Sequence, residues 1–459
     1  MSQPRPRVAY FSPLNPDPSG ISDYSEELLP HLADLWDVHL FVHGYRPESK
    51  AAQGLPVVDC ATVDPLSLQE SYDSAVYQMG NSSSHDYIYD TLLRWPGMVV
   101  LHDFSLHHLI AERYLSVHRP DLYLREVRAQ LGNDAAERSR RTLWGAERAP
   151  WESAPLRYPM NRRVLEAATG VVAHSDFVAS WIRKAAPRLR VHRIDHHALF
   201  PPDDIRQRPP TSLDDQVLQL VIAGNLTPMK QVDVVLRSLA RITPHLPLRC
   251  ELVGDVSPVW DLQALARELG LGRQTRFRER VSQRELYHHL LTADLCISLR
   301  HPTVGETSGI VMRALACGRP VVVSNDGWFA ELPDSVAVKV PPTGDVEDRL
   351  ADEITALGRD RNRLRRMSRD AAAFAGARDP LSRARAYHAA LRATEPPPQA
   401  LVGRALYRVA ERAREIGMGS SSSLTRRVSA HLADLTLPRP VHTPDARAHR
   451  RRWHGSTKS

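Results

Sequence analysis

The stretch RHPTVGETSGIVMRALACGRPVVVS, residues 300–324, decides the fold of this chain because it joins a polar loop, a helix start and an apolar strand. Gly305 allows a tight turn, and Thr307 and Ser308 are residue types that cap helices. The apolar helix that follows is expected to stop at Gly318, a residue typical of helix ends. The valine run at 321–323 then predicts a buried strand in a parallel sheet.

The helix start in this stretch is a candidate anion site. Its unpaired amide N–H groups and the positive end of the helix dipole would favour a diphosphate. Glu306 lies where it could accept hydrogen bonds from sugar hydroxyls, with Gly305, Thr307, Ser308 and Gly309 around it. An αβ unit that binds nothing has the same local pattern, so the stretch alone leaves both interpretations open.

The length and composition indicate a globular protein of two or three domains. The chain has 459 residues, of which 42% are hydrophobic. No apolar run approaches the roughly 18–20 residues of a membrane span, and the N-terminus lacks the apolar core of a signal peptide. We therefore expect a cytoplasmic location. The four cysteines show no paired spacing, which indicates neither a disulfide framework nor a zinc site.

The positive charge is concentrated rather than spread along the chain. The formal net charge is +7, and the excess arginines cluster near residues 138–141 and in the tail from residue 404 onwards. A solvated face or a disordered end is the simple interpretation. The alternative is peripheral contact of the basic tail with the anionic inner face of a membrane. No nucleic-acid recognition motif is present, so we expect no nucleic-acid partner.

Two successive α/β runs predict the domain organisation. Residues 1–200 begin with a β-loop-α-β pattern and form one doubly wound domain, and a proline-rich linker follows at 201–215. Residues 216–380 form the second doubly wound domain, and a helix at 381–397 could cross back to the first. Residues 398–459 form a basic tail, helical or partly disordered. The predicted fold class is α/β, with two Rossmann-like domains facing each other across a cleft.

Three further positions are expected at this cleft, because ligands bind at the carboxyl ends of parallel strands. Gly20 lies in the first loop, where its backbone could approach a ligand. His102 and Asp103 follow a buried strand of the first domain, and Lys230 follows a strand and glycine turn of the second. A lysine there can neutralise a diphosphate. A structural histidine and a surface lysine are the plainer interpretations of His102 and Lys230.

Taken together, these segments resemble the retaining GT-B glycosyltransferases of family 4, also called glycosyl transferases group 1. The resemblance covers residues 5–395, and its strongest part is GETSG…RALACGRPVVVSNDGWFAELP at 305–333. AGNLTPMK at 223–230 is similar to the family's Gly-Arg-Leu…Lys element. MNRRVLEAATGVVAHSDF at 160–177 and ADLCISLR at 293–300 match in order and spacing.

The resemblance implies roles for matched positions. Gly20 would lie against the donor phosphate, with Ile21 and Ser22 on the acceptor side together with Asp103. His102 would lie beside the reacting sugar, and Glu306 would hold donor sugar hydroxyls. The implied donor-binding positions are Gly20, Gly224, Asn225, Lys230, Gly305, Thr307, Ser308, Gly309 and Arg313.

Two residues depart from the family pattern. The family's arginine after the glycine is Asn225 here, so one positive charge must come from elsewhere, such as Arg300 or the helix-start amides. The family's second glutamate corresponds to Arg313, which could contact phosphate or base instead. Aligned on Ala-Cys-Gly, the first glutamate falls on Gly305, and a one-residue shift of the loop would restore that role to Glu306.

The implied activity is transfer of a sugar from a nucleotide-diphosphate sugar to a carbohydrate or lipid-linked acceptor, with retention of anomeric configuration. No Asp-x-Asp follows a hydrophobic strand, so we expect no metal, and no cofactor is implied. An epimerase of the same fold would need an acid/base carboxylate pair in the first domain, and a phosphorylase would need a cofactor lysine. Neither stands out in this sequence. A catalytically weakened nucleotide-sugar-binding or scaffold protein is the alternative from a different class, given Asn225 and Arg313.

Overall fold

The structure is a computed structural model that describes residues 5–17, 19–206, 216–257 and 260–394. Within these residues the chain forms two parallel sheets, of seven and six strands. We call residues 5–200 the first half and residues 216–379 the second half. Most of the predicted linker and the whole predicted tail at 398–459, with its arginines, lie outside the described residues.

The first half is built on the seven-stranded sheet, with strand order β3-β2-β1-β4-β5-β6-β7. Every pairing in it is parallel. The central strands are apolar and almost wholly buried, as expected for a sheet covered by helices on both faces. The strands are β1 (Arg7–Phe11), β2 (Asp37–Val42), β3 (Val57–Asp59), β4 (Ser74–Met79), β5 (Met98–Leu101), β6 (Gly170–Ala173) and β7 (Val191–Arg193).

The second half has the six-stranded sheet, with strand order β10-β9-β8-β11-β12-β13, again with parallel pairing. In both sheets the strand order reverses beside the first strand, which is where doubly wound sheets bind ligands. The predicted fold class is confirmed. The strands are β8 (Leu218–Ala223), β9 (Leu248–Val253), β10 (Thr275–Arg278), β11 (Leu295–Ser298), β12 (Val321–Ser324) and β13 (Ala337–Val340).

Helices connect the strands and cover the sheets. Those of the first half are α1 (Gly20–Ala33), α2 (Asp86–Arg94), α3 (His107–Leu115), α4 (Pro120–Leu131), α5 (Asn133–Leu143), α6 (Pro150–Ser153), α7 (Arg162–Ala167) and α8 (Asp176–Ala185). The short α9 (Asp203–Arg206) lies inside the predicted linker. The later helices are α10 (Val232–Ile242), α11 (Leu262–Glu268), α12 (Gln283–Thr292), α13 (Gly309–Ala316), α14 (Val346–Arg359), α15 (Arg361–Gly376) and α16 (Pro380–Ala393). Short 3-10 helices span Pro65–Ser71, Ser83–His85, Pro228–Lys230 and Gly327–Glu331.

The two halves touch at defined points. The backbone N–H of Ser105 donates to the carbonyl of Val304 at 2.9 Å, so a first-half loop lies against the loop before α13. Helix α16 follows the second half in sequence yet packs on α1, where the hydroxyls of Tyr24 and Tyr387 are 2.7 Å apart. The Ser105–Val304 hydrogen bond joins the loop after β5 to the loop after β11, so these carboxyl edges of the two sheets lie close together. In the part of the chain that the structure describes, no helix is both long and apolar enough to cross a membrane.

Candidate active site between the two sheets

The loop before α13 holds Glu306 in a buried position. One carboxylate oxygen, Oε2, accepts from the hydroxyl of Thr303 at 2.9 Å and from the backbone N–H of Val304 at 2.8 Å. The other oxygen, Oε1, is 2.6 Å from Nε of Arg300. Glu306 is therefore fixed by its own loop and charge-paired with an arginine that follows β11. Its contact with sugar hydroxyls stays a prediction.

Gly305 fits this loop for two independent reasons. Its φ is +81°, in the left-handed region that residues with a side chain seldom adopt. A methyl group added at Gly305 would lie 2.5 Å from Cβ of Phe104, which is attached directly to the backbone and cannot move aside. The glycine thus lets the loop that carries Glu306 approach the first half.

Lys230 lies next to this loop. Its Nζ donates to the carbonyl of Ala223 at 3.0 Å, at the end of β8. A methyl group added at Gly224 would lie 2.8 Å from that Nζ and 3.3 Å from the Ile310 side chain, so Lys230, Gly224 and the first turn of α13 are neighbours. Burial, and secondly the charge of Arg300, lower the pKa of Lys230 to about 7. An anion near Nζ would favour its charged form.

Helix α13 begins as the sequence predicts. The Ser308 hydroxyl accepts from the backbone N–H of Val311 at 3.3 Å, and Gly309 is the first helical residue. Thr307 is half-buried just before the cap. The first-turn amides of α13 and the Lys230 amine therefore lie on the same side of the second sheet, which is a suitable arrangement for binding a diphosphate.

Asp103, and His102 beside it in sequence, follow β5 at the carboxyl edge of the first sheet. The Nε2 atom of His102 is 2.7 Å from Oε1 of Gln78, and Asp103 accepts from the backbone N–H of Asn81 at 2.9 Å. Burial, and then repulsion from Glu306, raise the pKa of Asp103 to about 7. Two carboxyl groups from opposite halves are thus close enough to influence each other.

The first loop reaches the same edge of the first sheet. Ser19 caps α1 by accepting from the backbone N–H of Ile21 at 3.1 Å, which places Gly20 at the first helical position. A methyl group added at Gly80, just after β4, would lie 2.4 Å from Cδ1 of Ile21. The Ser22 hydroxyl donates to the carbonyl of Asp17 at 2.7 Å and is buried within the loop.

The structure also shows the surroundings of the two residues that depart from the family pattern. The Arg313 side chain is only 4% exposed and its guanidinium is 2.6 Å from the carboxylate of Asp23 on α1. Asn225 is exposed, and its backbone carbonyl accepts from the N–H of Thr227. The charge of Arg300 is paired directly with Glu306, and Lys230 lies near both residues.

A cluster of histidines was not foreseen from the sequence beyond His102. The rings of His102, His174, His196 and His197 each lie 4.3–5.3 Å from the ring of Tyr24. Burial lowers the pKa of His174 to about 4 and of His196 to about 3. His174 directly follows β6 and the His196–His197 pair follows β7, so their positions after strands were the available signal.

The fold and the site together define the chain as a GT-B protein with its candidate site between two Rossmann-like halves. Residues 203–374 match the family model of glycosyl transferases group 1, which is the group that the sequence resembles. Among curated relatives, the D-inositol 3-phosphate glycosyltransferase of Stackebrandtia nassauensis is 33% identical over 146 residues. That match covers 29% of this chain and 32% of the relative, so it spans about a third of the relative's length.

Solved structures of low sequence identity show the same fold. A sucrose-phosphate synthase from Thermosynechococcus elongatus has a TM-score of 0.58 and 16% identity, covering 85% of this chain and 100% of that chain. The Anabaena protein HepE in complex with UDP-glucose has a TM-score of 0.57 and 15% identity, covering 84% of this chain and 99% of that chain. At these identities the likeness concerns the fold.

Proposed function

We propose that this chain is a retaining, metal-independent glycosyltransferase that moves a sugar from a nucleoside diphosphate to an acceptor hydroxyl. The observation that carries the proposal is the convergence of Lys230, Arg300, Glu306 and the start of α13, with Asp103 of the first half close enough to Glu306 for their charges to interact. Two cations and helix-start amides suit a diphosphate, and fixed carboxyl groups suit sugar hydroxyls. Nucleotide-sugar complexes of a neighbour with the same fold, HepE, support this choice of donor.

In the proposed reaction, the bond between the anomeric carbon and the diphosphate oxygen breaks as the acceptor oxygen bonds to the same carbon from the same face. The proton of the acceptor hydroxyl passes to the departing phosphate oxygen. The protein contributes orientation and stabilises the negative charge that grows on the leaving diphosphate. In our proposal Lys230, Arg300 and the first-turn amides of α13 provide that stabilisation without a metal, and the acceptor is a carbohydrate or lipid-linked hydroxyl.

A screen of nucleotide sugars with product detection by mass spectrometry tests the proposal. We expect at least one donor to be hydrolysed or transferred, and expect Lys230→Ala to reduce its turnover strongly while the thermal midpoint changes little. Lys184→Ala, which removes an exposed lysine on α8, is the matched control. A wild-type chain that turns over none of the donors contradicts the proposal.

The second candidate is a nucleotide-sugar-binding or scaffold protein with weakened catalysis. Two observations favour it: Asn225 leaves one position without its usual charge, and Arg313 is engaged with Asp23. Binding of a nucleoside diphosphate without turnover of its sugar would support this candidate. Asn225→Arg would then be expected to tighten the binding without creating turnover.

A further inference from the structure

A buried chain of hydrogen bonds leads from the first loop to His102. Ser12, Ser25, Tyr10 and Gln78 are all wholly buried, so bulk water does not compete for their polar atoms. The contacts run from Ser12 to Ser25 at 2.8 Å, from Ser25 to Tyr10 at 3.1 Å and from Tyr10 to Gln78 at 2.9 Å. The last contact joins Gln78 to Nε2 of His102 at 2.7 Å.

The donor and the acceptor of each of these hydrogen bonds can be assigned by starting from Ser12, the residue farthest from His102. The hydroxyl of Ser12 is 2.7 Å from the carbonyl oxygen of Pro13, and a carbonyl can only accept. Ser12 therefore uses its single proton there and must accept from Ser25. Ser25 has then used its own proton and must accept from the Tyr10 hydroxyl.

The same reasoning fixes the amide of Gln78. Because the Tyr10 proton is donated to Ser25, the Tyr10 oxygen must accept in its contact with the Gln78 side chain. The only donor of that side chain is its NH2 group. The amide oxygen of Gln78 consequently faces His102. For that 2.7 Å contact to be a hydrogen bond, Nε2 of His102 must carry the proton.

His102 is a neutral ring in this environment, so one nitrogen carries the proton and the other a lone pair. Burial, and then the neighbouring His174, His196, His85 and His197, lower its pKa well below the usual histidine value. Asp103, adjacent in sequence, has its own pKa raised to about 7 by burial and Glu306. With the proton on Nε2, the lone pair belongs to Nδ1.

We propose that Gln78 is a positioning residue that holds His102 in the tautomer protonated on Nε2, so that Nδ1 is its hydrogen-bond acceptor. Under the proposed function, Nδ1 accepts a hydrogen bond from a hydroxyl of the sugar or of the acceptor substrate. Only the identity of this ligand rests on the proposed function. The tautomer itself rests on the hydrogen-bond chain. His102 then accepts a hydrogen bond from its ligand and does not donate one.

Long-range 1H–15N correlation spectra of the full chain, labelled with 15N-histidine, measure the tautomer directly. The His102 signals among the 21 histidines are identified by their loss in His102→Phe. We expect the proton on Nε2 at pH 7.5, whereas His174, whose Nδ1 donates to the carbonyl of Ile194 at 2.8 Å, is the internal reference for the opposite tautomer. A proton on Nδ1 of His102 overturns the inference.

Two substitutions at Gln78 distinguish a role in holding the His102 tautomer from a role in supporting the fold alone. Gln78→Glu keeps an acceptor, so His102 should retain the Nε2 proton and titrate at higher pH because a carboxylate favours the imidazolium. Gln78→Leu removes the acceptor, so the tautomers should mix and kcat should fall by about 10-fold, with a smaller change in KM. An unchanged tautomer in Gln78→Leu contradicts the positioning role.

The outcomes separate this inference from the proposed function. If no nucleotide sugar is turned over but His102 carries its proton on Nε2, the function fails and the hydrogen-bond argument stands. If turnover is found and His102 is protonated on Nδ1, only the inference fails. Should both Gln78 variants fail to fold, the wild-type spectrum still decides the tautomer.

Discussion

The guanidinium of Arg313 lies 2.6 Å from the carboxylate of Asp23 and joins α13 of the second half to α1 of the first. Asp23 is in the first turn of α1, three residues after Gly20, and also accepts from the side-chain amide of Asn15 at 3.2 Å. Because Arg313 is almost fully buried, the carboxylate of Asp23 compensates the charge of its guanidinium. The pair therefore holds the predicted phosphate-binding loop of the first half against the helix that begins at the proposed donor site.

Removing one member of this pair should cost stability. We expect Arg313→Met to lower the free energy of unfolding by about 2 kcal/mol, since Asp23 would keep a poorly solvated charge without its partner. Urea denaturation followed by circular dichroism measures the change. Arg119→Met removes an arginine from an exposed pair with Asp121 and should leave the midpoint unchanged. Equal effects of the two substitutions would show that the buried pair adds nothing.

The histidine cluster should make the fold sensitive to acid. Burial holds the pKa of His174 at about 4 and of His196 at about 3, both below the value of 6.5 for an unperturbed histidine. The unfolded chain therefore binds more protons than the folded chain as the pH falls below about 6.5. Stability is present above that pH and is lost progressively towards pH 4, by about 1.4 kcal/mol per pH unit for each such histidine.

His197 provides the variant that checks this slope. It is wholly buried, both of its ring nitrogens lack a hydrogen-bond partner within the described residues, and burial and then His196 lower its pKa well below the usual value. Between pH 6.5 and 4.5 the free energy of unfolding should fall less in His197→Leu than in the wild type. The difference should be the contribution of one histidine, about 1.4 kcal/mol per pH unit. His245→Leu, at an exposed position, is the control. An unaltered slope in His197→Leu would exclude the cluster as the source of acid sensitivity.

Glu331 links the halves at a further place. Its carboxylate accepts from the backbone N–H groups of Asp176 at 3.0 Å and Phe177 at 2.6 Å, which are the first residues of α8. We expect Glu331→Ala to destabilise by about 1 kcal/mol, as loss of a helix cap does, and Glu331→Gln to cost less. Amide hydrogen exchange at Asp176 and Phe177 is the local measurement. Exchange rates that stay at the wild-type level in Glu331→Ala would contradict the capping role.

The local parts of this structure follow from sequence patterns, whereas the links between halves do not. The helix start at Ser308 and the valine strand β12 are where the spacing predicts them, because caps and apolar runs act over a few residues. Helix α1 begins at Gly20 because Ser19 supplies the cap. The helix predicted at 381–397 corresponds to α16, which begins at Pro380 because Asp379 supplies the cap.

Contacts between distant residues had no such signal. Asp23 and Arg313 are 290 positions apart, and Glu331 reaches a helix start 155 positions earlier. Arg313 was interpreted from its place in a motif as a donor-binding residue, and no local pattern reports its pairing with Asp23. The sequence pattern around Gln78 is that of an ordinary strand. Its position beside His102 results from the parallel pairing of β4 with β5, which the local pattern does not report.

Diphosphate binding should be linked to proton uptake at Lys230. Burial, and then Arg300, lower the pKa of its amine to about 7, so at pH 8 much of the ligand-free protein carries a neutral amine. A bound diphosphate favours the ammonium form, so the complex should take up as much as about one proton at pH 8. Calorimetry in buffers of different ionisation enthalpy measures the uptake. Lys230→Met should abolish it, and uptake that persists in this variant would assign the proton to another group.

The most direct test of the account is the affinity of a panel of nucleoside diphosphates for wild-type protein and for Lys230→Ala, measured by isothermal titration calorimetry at pH 6.5. We expect that at least one diphosphate binds, that the matching nucleoside without phosphates does not, and that Lys230→Ala weakens the binding by about 10-fold or more. Lys184→Ala should bind as the wild type does. Absence of binding to every diphosphate, or equal affinities for wild type and Lys230→Ala, would contradict the account.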